Sequence, residues 1–161
     1  MFSYQDAYGN DVKIHFAQSK EEQNDVLVIP HYEGKWLFTE HKIRGLEFPG
    51  GKGEAGEDNT TTAKRELMEE TGAIPFEFVF VADYEVASSE RPFTKRVFFC
   101  EVKQIVPQEN YLETTGPKLL KGHLRKIVQR EAFSFFMRDE GMQEILKRLD
   151  EIVGKKGDFL L

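Results

Sequence analysis

Three carboxylates stand close enough in this chain to share one task. Residues 65–73 read Arg-Glu-Leu-Met-Glu-Glu-Thr-Gly-Ala. On a helix, Glu66, Glu69 and Glu70 fall at i, i+3 and i+4 and so share one face. Like charges at that spacing repel and weaken a helix unless something cancels them. A divalent cation does this with oxygen ligands: Mg²⁺ takes a few carboxylates together with the phosphate oxygens of a substrate. An isolated Glu-x-x-Glu-Glu is ordinarily a solvated helix face. This one directly follows residues 45–56, where five glycines and a proline occur among twelve residues and two further glutamates, Glu54 and Glu57, lie at or next to its end. Such a segment is a loop of unusual backbone geometry.

The elements that position these groups follow from the pattern around them. A helix is expected over residues 60–71, with Thr60, Thr61 and Thr62 as possible caps and Gly72 as its stop, and Pro75 marks the break. Residues 12–16 alternate as a half-buried strand does, and the apolar run 26–29 suits a central strand. Glu33-Gly34 breaks the chain before a strand at 35–39. Residues 76–86 and 93–102 read as strands joined by a turn at 88–92, and 107–117 as a loop, while 119–128 fits either regular type. Met142, Ile145, Leu146, Leu149, Ile152 and Val153 form a helical stripe over 142–153. The order predicts an α/β (α+β) fold, a mixed sheet between helices, in one domain spanning residues 1–161.

Composition bounds the function. Apolar residues make up 40% of the chain and charged residues 31%, a soluble globular profile, and 161 residues can bury a core without disulfides or a structural metal. The single cysteine, Cys100, excludes an internal disulfide and a cysteine-based zinc site, and its apolar surroundings predict a buried, inert thiol. His15, His31, His41 and His123 have no metal-ligand spacing. No apolar run is long enough to span a bilayer, so no membrane role and a cytoplasmic location are expected. The net charge of −6 argues against a DNA-binding surface but not against a small phosphorylated ligand, because a bound cation inverts the sign of an acidic pocket.

The whole segment spells Gly51, five residues, Glu57, seven residues, Arg65-Glu66-Leu67, one residue, Glu69-Glu70, one residue, Gly72. This resembles the Nudix box, with all seven invariant-type positions filled. Chance would fill seven fixed positions on the order of once in 10⁸ starts. Ala73, where the family usually has a larger aliphatic residue, is a packing departure. The resemblance implies the Nudix fold and hydrolysis of a diphosphate bond with Mg²⁺, or Mn²⁺ as a substitute. It implies Glu66, Glu69 and Glu70 as metal ligands, joined by a carbonyl of Gly50 or Gly51. Glu57, which is counted with the metal set, more often orients Arg65 than binds the ion. Glu66 is the expected general base; the alternative is a glutamate from a distant loop, for which Glu113 is best placed, although it also reads as an ordinary loop carboxylate.

Residues 44–52, Arg-Gly-Leu-Glu-Phe-Pro-Gly-Gly-Lys, resemble the MutT-type branch of the family. Lys52 would then contact phosphate, unless it only pairs with neighbouring glutamates; Arg44 and Lys42 are further phosphate candidates with a surface role as the alternative. Segments 35–41, 113–117 and 133–139 are similar to a bacillary nucleoside triphosphatase branch. That likeness implies cleavage of 8-oxo-dGTP or related purine nucleotides to the monophosphate and pyrophosphate, with 5′-triphosphate RNA ends as an alternative substrate. ADP-ribose, dinucleoside polyphosphates and coenzyme A are cleaved elsewhere in the family, and a nucleotide-sensing module without activity is the non-enzymatic rival. Asp139 either reads the purine edge or caps the last helix; Phe133, Phe135 and Phe136 either line the base pocket or pack in the core. Monomer and homodimer remain equally open.

Overall fold

The computed structural model describes residues 1–88, 90–154 and 161; Ser89, within the expected 88–92 turn, lies outside the described residues. The chain runs β1 (Phe2–Gln5), β2 (Asp11–His15), β3 (Asp25–Tyr32), β4 (Lys35–His41), β5 (Gly45–Glu47), β6 (Gly50–Lys52), α1 (Asn59–Thr71), β7 (Ala73–Ala87), β8 (Phe93–Ile105), β9 (Thr114–Leu120), α2 (Leu124–Ile127), α3 (Phe135–Arg138) and α4 (Glu140–Val153). Among the described residues the strands join in one sheet of order β1-β2-β7-β8-β3-β4-β5, with β6 added to β3 and β9 to β4. The β3–β8 pair is parallel and the others are antiparallel, so the sheet is mixed, as expected.

Period-two alternation divides the apolar residues between two faces. Leu27, Ile29, Val97 and Phe99 join Met142, Ile145, Leu146 and Leu149 of α4 in the larger core. Val26, Val28, Phe98 and Cys100 join Ala63 and Leu67 of α1 in the smaller one. A strand buried on both faces reads as a continuous apolar run, which is why residues 26–29 show no polar alternation. Burial pushes the Cys100 thiol well above its ordinary value, in keeping with an inert packing role. No described helix is long and apolar enough to cross a membrane.

Four local expectations are corrected. The glycine-rich stretch is not all loop: β5 and β6 lie within it, because Gly50 brings the backbone against the carbonyl of Val26 where a Cβ would collide. The cap of α1 is Asp58, whose side chain accepts the Thr61 N–H at 2.8 Å, rather than one of the threonines. The strand expected from residue 76 begins at Ala73, so Pro75, which follows the end of α1 as expected, lies inside β7 at a shift of register. The expected loop at 107–117 gives way at Thr114 to β9, which pairs with β4.

Candidate active site

The helix α1 follows from its ends and its buried stripe. Asp58 caps it, Gly72 ends it at φ 74° with its N–H donated to the Met68 carbonyl, and Ala63, Leu67 and Thr71 face the sheet. A side chain on Gly72 would strike the Val106 carbonyl, so the stop must be glycine on two counts. With that face buried, Glu66, Glu69 and Glu70 are turned toward a cavity of about 1180 Å³, whose wall they share with Gly50, Gly51, Lys52, Glu54 and Arg65. The floor under Glu66 is Gly51: a Cβ there would lie 2.6 Å from the Glu66 carboxyl. β6 therefore requires glycine for the carboxylate to lie over its backbone.

Arg65 organises the cluster. Its Nε and Nη2 donate to the two oxygens of Glu57 at 2.8 and 2.9 Å, its Nη1 to Glu66 at 3.0 Å and Glu69 at 3.2 Å, and its Nη2 to the Lys52 carbonyl at 3.0 Å. Glu57 also accepts from the Thr62 hydroxyl and the Glu54 N–H. The Arg65 fork, then the Glu54 N–H, hold its carboxyl down to about 2. With both oxygens so engaged, Glu57 braces the arginine, the supporting half of its expected role.

Glu70 is the most deeply placed of the three box glutamates. Burial raises its carboxyl to about 9, and its hydrogen bond and charge repulsion with Glu66 act in the same direction, against the Gly50 N–H that donates to it at 3.3 Å. Burial raises Glu66 as well. Among the described residues no three His, Cys, Asp or Glu side chains stand at ligating separations. Glu66 and Glu70 share a hydrogen bond instead, and Arg65 holds Glu69. The donor set still fits Mg²⁺: hard carboxylate oxygens crowd one wall, and burial raises the proton affinity of Glu66 and Glu70, which a bound cation would offset. The Thr39 and Thr114 hydroxyls reach the Glu70 carbonyl at 3.4 and 3.3 Å and tie β4 and β9 to the helix end.

The remaining expected residues are distributed as follows. Glu113, exposed in the turn before β9, lines the same cavity as the box glutamates. Lys52 lines it from β6. Arg44 lines it too, but its Nε and Nη2 are taken by Glu47 at 2.9 and 3.0 Å, so a phosphate must compete for that fork. Asp139 caps α4 by accepting the Met142 N–H at 2.8 Å and also accepts the Tyr4 hydroxyl at 3.0 Å, while facing the cavity. Phe133 is core, packed edge-on against Phe38, whereas Phe136 reaches the cavity rim.

The far wall, made by Tyr4, Val12, Asp25, Tyr84, Phe93 and Lys95, was missed by sequence reasoning. One signal was available. In 93–102, Lys95 has the same parity as Val97 and Phe99, a charged residue on the inward face of a strand. The long-range pairings Asp25↔Lys95 and Lys95↔Tyr84 that complete the wall leave no local trace.

Comparison with known proteins places this geometry. The family profile described as NUDIX domain matches residues 14–146. A Bacillus subtilis protein, the candidate 8-oxo-dGTP diphosphatase YtkD, is 36% identical over 153 residues, covering 94% of this chain and 97% of that protein. Phosphatase NudJ of Escherichia coli is 37% identical over 89 residues, covering 52% of this chain and 58% of its own length. A crystal structure of a glutamate-to-alanine variant of the Bacillus subtilis pyrophosphohydrolase BsRppH superposes with a TM-score of 0.89 at 35% identity, covering 95% of this chain and 98% of that one.

Proposed function

The chain belongs to the NUDIX domain family of hydrolases that act on pyrophosphate bonds, and on that premise we propose that it is a Mg²⁺-dependent nucleoside triphosphate pyrophosphohydrolase. Acting as one domain over residues 1–161, it would convert a purine nucleoside triphosphate, 8-oxo-dGTP among them, and water to the monophosphate and pyrophosphate. The observation that carries this reading is the crowded Glu66–Glu70 pair over Gly51, in a cavity with a second wall that sets the aromatic and apolar Tyr4, Val12, Tyr84 and Phe93 around Asp25 and Lys95. The carboxylates suit a metal-bound polyphosphate and the second wall a base. The names of the Bacillus relatives support the same chemistry.

Glu66, Glu69 and Glu70 would hold the ion, with a carbonyl of Gly50 or Gly51. When bound, Mg²⁺ supplies charge neutralisation on the phosphate oxygens. Glu66 takes the proton of the attacking water; its raised proton affinity, caused first by burial, suits a base working near neutral pH. Glu113, across the cavity, is the alternative base. Arg65 and Glu57 fix the carboxylates, and Lys52 contacts phosphate as a point charge.

A second reading is favoured by one feature. Tyr8, 69% exposed, and Phe136, 39% exposed, stand at the cavity rim, with Tyr8 5.5 Å from the Phe135 ring. An exposed aromatic step beyond the mouth suits stacking of a second base, as on a 5′-triphosphate RNA end.

Glu66→Gln and Glu70→Gln should each lower turnover by about a hundredfold or more with the circular dichroism spectrum unchanged. Near-normal rates in both sink the assignment. A Mg²⁺ panel of dGTP, 8-oxo-dGTP, ATP, ADP-ribose, dinucleoside polyphosphates and triphosphorylated RNA, with pyrophosphate distinguished from phosphate, tests the substrate. Preference for ADP-ribose overturns the triphosphate reading, and binding of a nucleotide without turnover points to a sensing module.

A further inference from the structure

His41 is the last residue of β4 and lines the cavity, and its surroundings fix which ring nitrogen carries the proton. Nδ1 accepts the backbone N–H of Ile43 at 3.1 Å and that of Arg44 at 3.2 Å. A proton on Nδ1 would oppose both donors, so the neutral ring holds its proton on Nε2. One nitrogen thus caps the turn 42–44, and the other offers an N–H. Nε2 has no hydrogen-bond partner among the described residues, and the side chain is only half-buried.

His41 stands on the side of the box glutamates. It pairs across β4 and β9 with Thr114, whose hydroxyl donates to the Glu70 carbonyl at 3.3 Å. Arg44, three residues on, lies close enough to Glu47, Glu113 and Glu70 for their charges to raise its proton affinity. Cations in these surroundings are taken up by carboxylates: Arg44 gives its fork to Glu47, and Arg65 serves Glu57, Glu66 and Glu69. A neutral N–H adds a donor without adding a charge for those carboxylates to capture. Such a donor bonds an ionised oxygen more strongly than a neutral one, and a polyphosphate brings ionised oxygens to this wall.

We propose that the Nε2–H of His41 donates to a phosphate oxygen of the bound polyphosphate, so that His41 binds substrate as well as capping its turn. The proposal rests on the pyrophosphohydrolase reading of the cavity and adds to it a donor that no carboxylate has taken. The two duties belong to two nitrogens, so substitution can separate them. Asparagine places Oδ1 where Nδ1 stands, keeping the turn's acceptor and removing the donor to phosphate. Glutamine places its amide nitrogen near the position of Nε2, keeping that donor and removing the acceptor.

Calorimetry with inorganic tripolyphosphate in Mg²⁺ reads the contact without a nucleoside, and KM for GTP reads it during turnover. His41→Asn should weaken tripolyphosphate binding and raise KM by about tenfold each, with the thermal unfolding midpoint unchanged. His41→Gln should recover most of that loss in affinity while its midpoint falls. Equal weakening in both variants, or weaker binding in His41→Gln than in His41→Asn, means that His41 acts only through the turn and overturns the proposal. Tripolyphosphate binding that is unchanged in His41→Asn, or undetectable in the unsubstituted protein, overturns it as well. An affinity for tripolyphosphate that depends on His41, without cleavage of any nucleoside triphosphate, keeps the contact and overturns the reaction. Cleavage of GTP with the same KM in His41→Asn keeps the reaction and overturns the contact.

Discussion

At the scale of single residues, the site is governed by where a proton sits when no cation does. Glu70 has a carboxyl raised from 4.5 to about 9, first by burial and then by its hydrogen bond to Glu66. Below 4.5 both the folded and unfolded chains carry that proton, and folding is indifferent to pH through this group. Between 4.5 and about 9 the folded protein keeps a proton that the unfolded chain has released, so stability falls as pH rises, and above about 9 the penalty is complete. Glu70→Gln has no carboxyl to ionise and so lacks this loss. Melting temperatures of metal-free protein, taken across that window, should fall for the parent chain relative to the variant. A parallel pair of curves would mean that Glu70 is not the group that holds the proton. Glu57 shows the opposite case, a carboxyl held near 2 because Arg65 and backbone N–H donors stabilise its charge.

At the scale of elements, α1 has two faces that can be damaged separately. Leu67 is fully buried against Val26, Val28 and Phe98, and Leu67→Ala should cost about 3 kcal/mol in urea unfolding while the folded enzyme retains its kcat. Gly51→Ala works from the other side. Its Cβ would displace the Glu66 carboxyl, and an ångström of displacement can cost about a hundredfold in rate, with the unfolding midpoint much less affected. If Gly51→Ala loses stability and not rate, the carboxylate is not tied to that floor. The helix itself was legible from sequence because its stripe, its stop at Gly72 and its carboxylate face are local. The strands at 26–29 and 93–102 were legible for the same reason. The pairs β5 and β6 were not, since three-residue strands exist only through partners elsewhere in the chain, and glycine-rich composition reads as loop until β3 is placed beside it. Asp58 took the cap from the three threonines by a difference of two to four positions, which periodicity does not resolve.

At the scale of the whole molecule, an acidic protein with net charge −6 must accept a polyanion. Arg44, expected to meet phosphate, is committed to Glu47, and Arg65 is committed to Glu57, Glu66 and Glu69, so Lys52 faces a wall of carboxylates with little help from these two arginines. The box motif made the metal-binding end of the cavity legible from sequence. The second wall depends on which strands are neighbours, and Lys95, Asp25 and Tyr84 come together only in the folded sheet. The two should therefore respond differently to metal removal. Binding of a non-hydrolysable triphosphate analogue should weaken by about tenfold or more when EDTA replaces Mg²⁺, because several phosphate charges then face Glu66, Glu69 and Glu70 uncompensated. The uncharged nucleoside, held only at the aromatic wall, should bind with the same affinity in both conditions. Mn²⁺ should restore the triphosphate analogue. Calorimetry on the two ligands checks this, and an analogue that binds equally well in EDTA would show that the charge balance of the site is supplied by the chain itself.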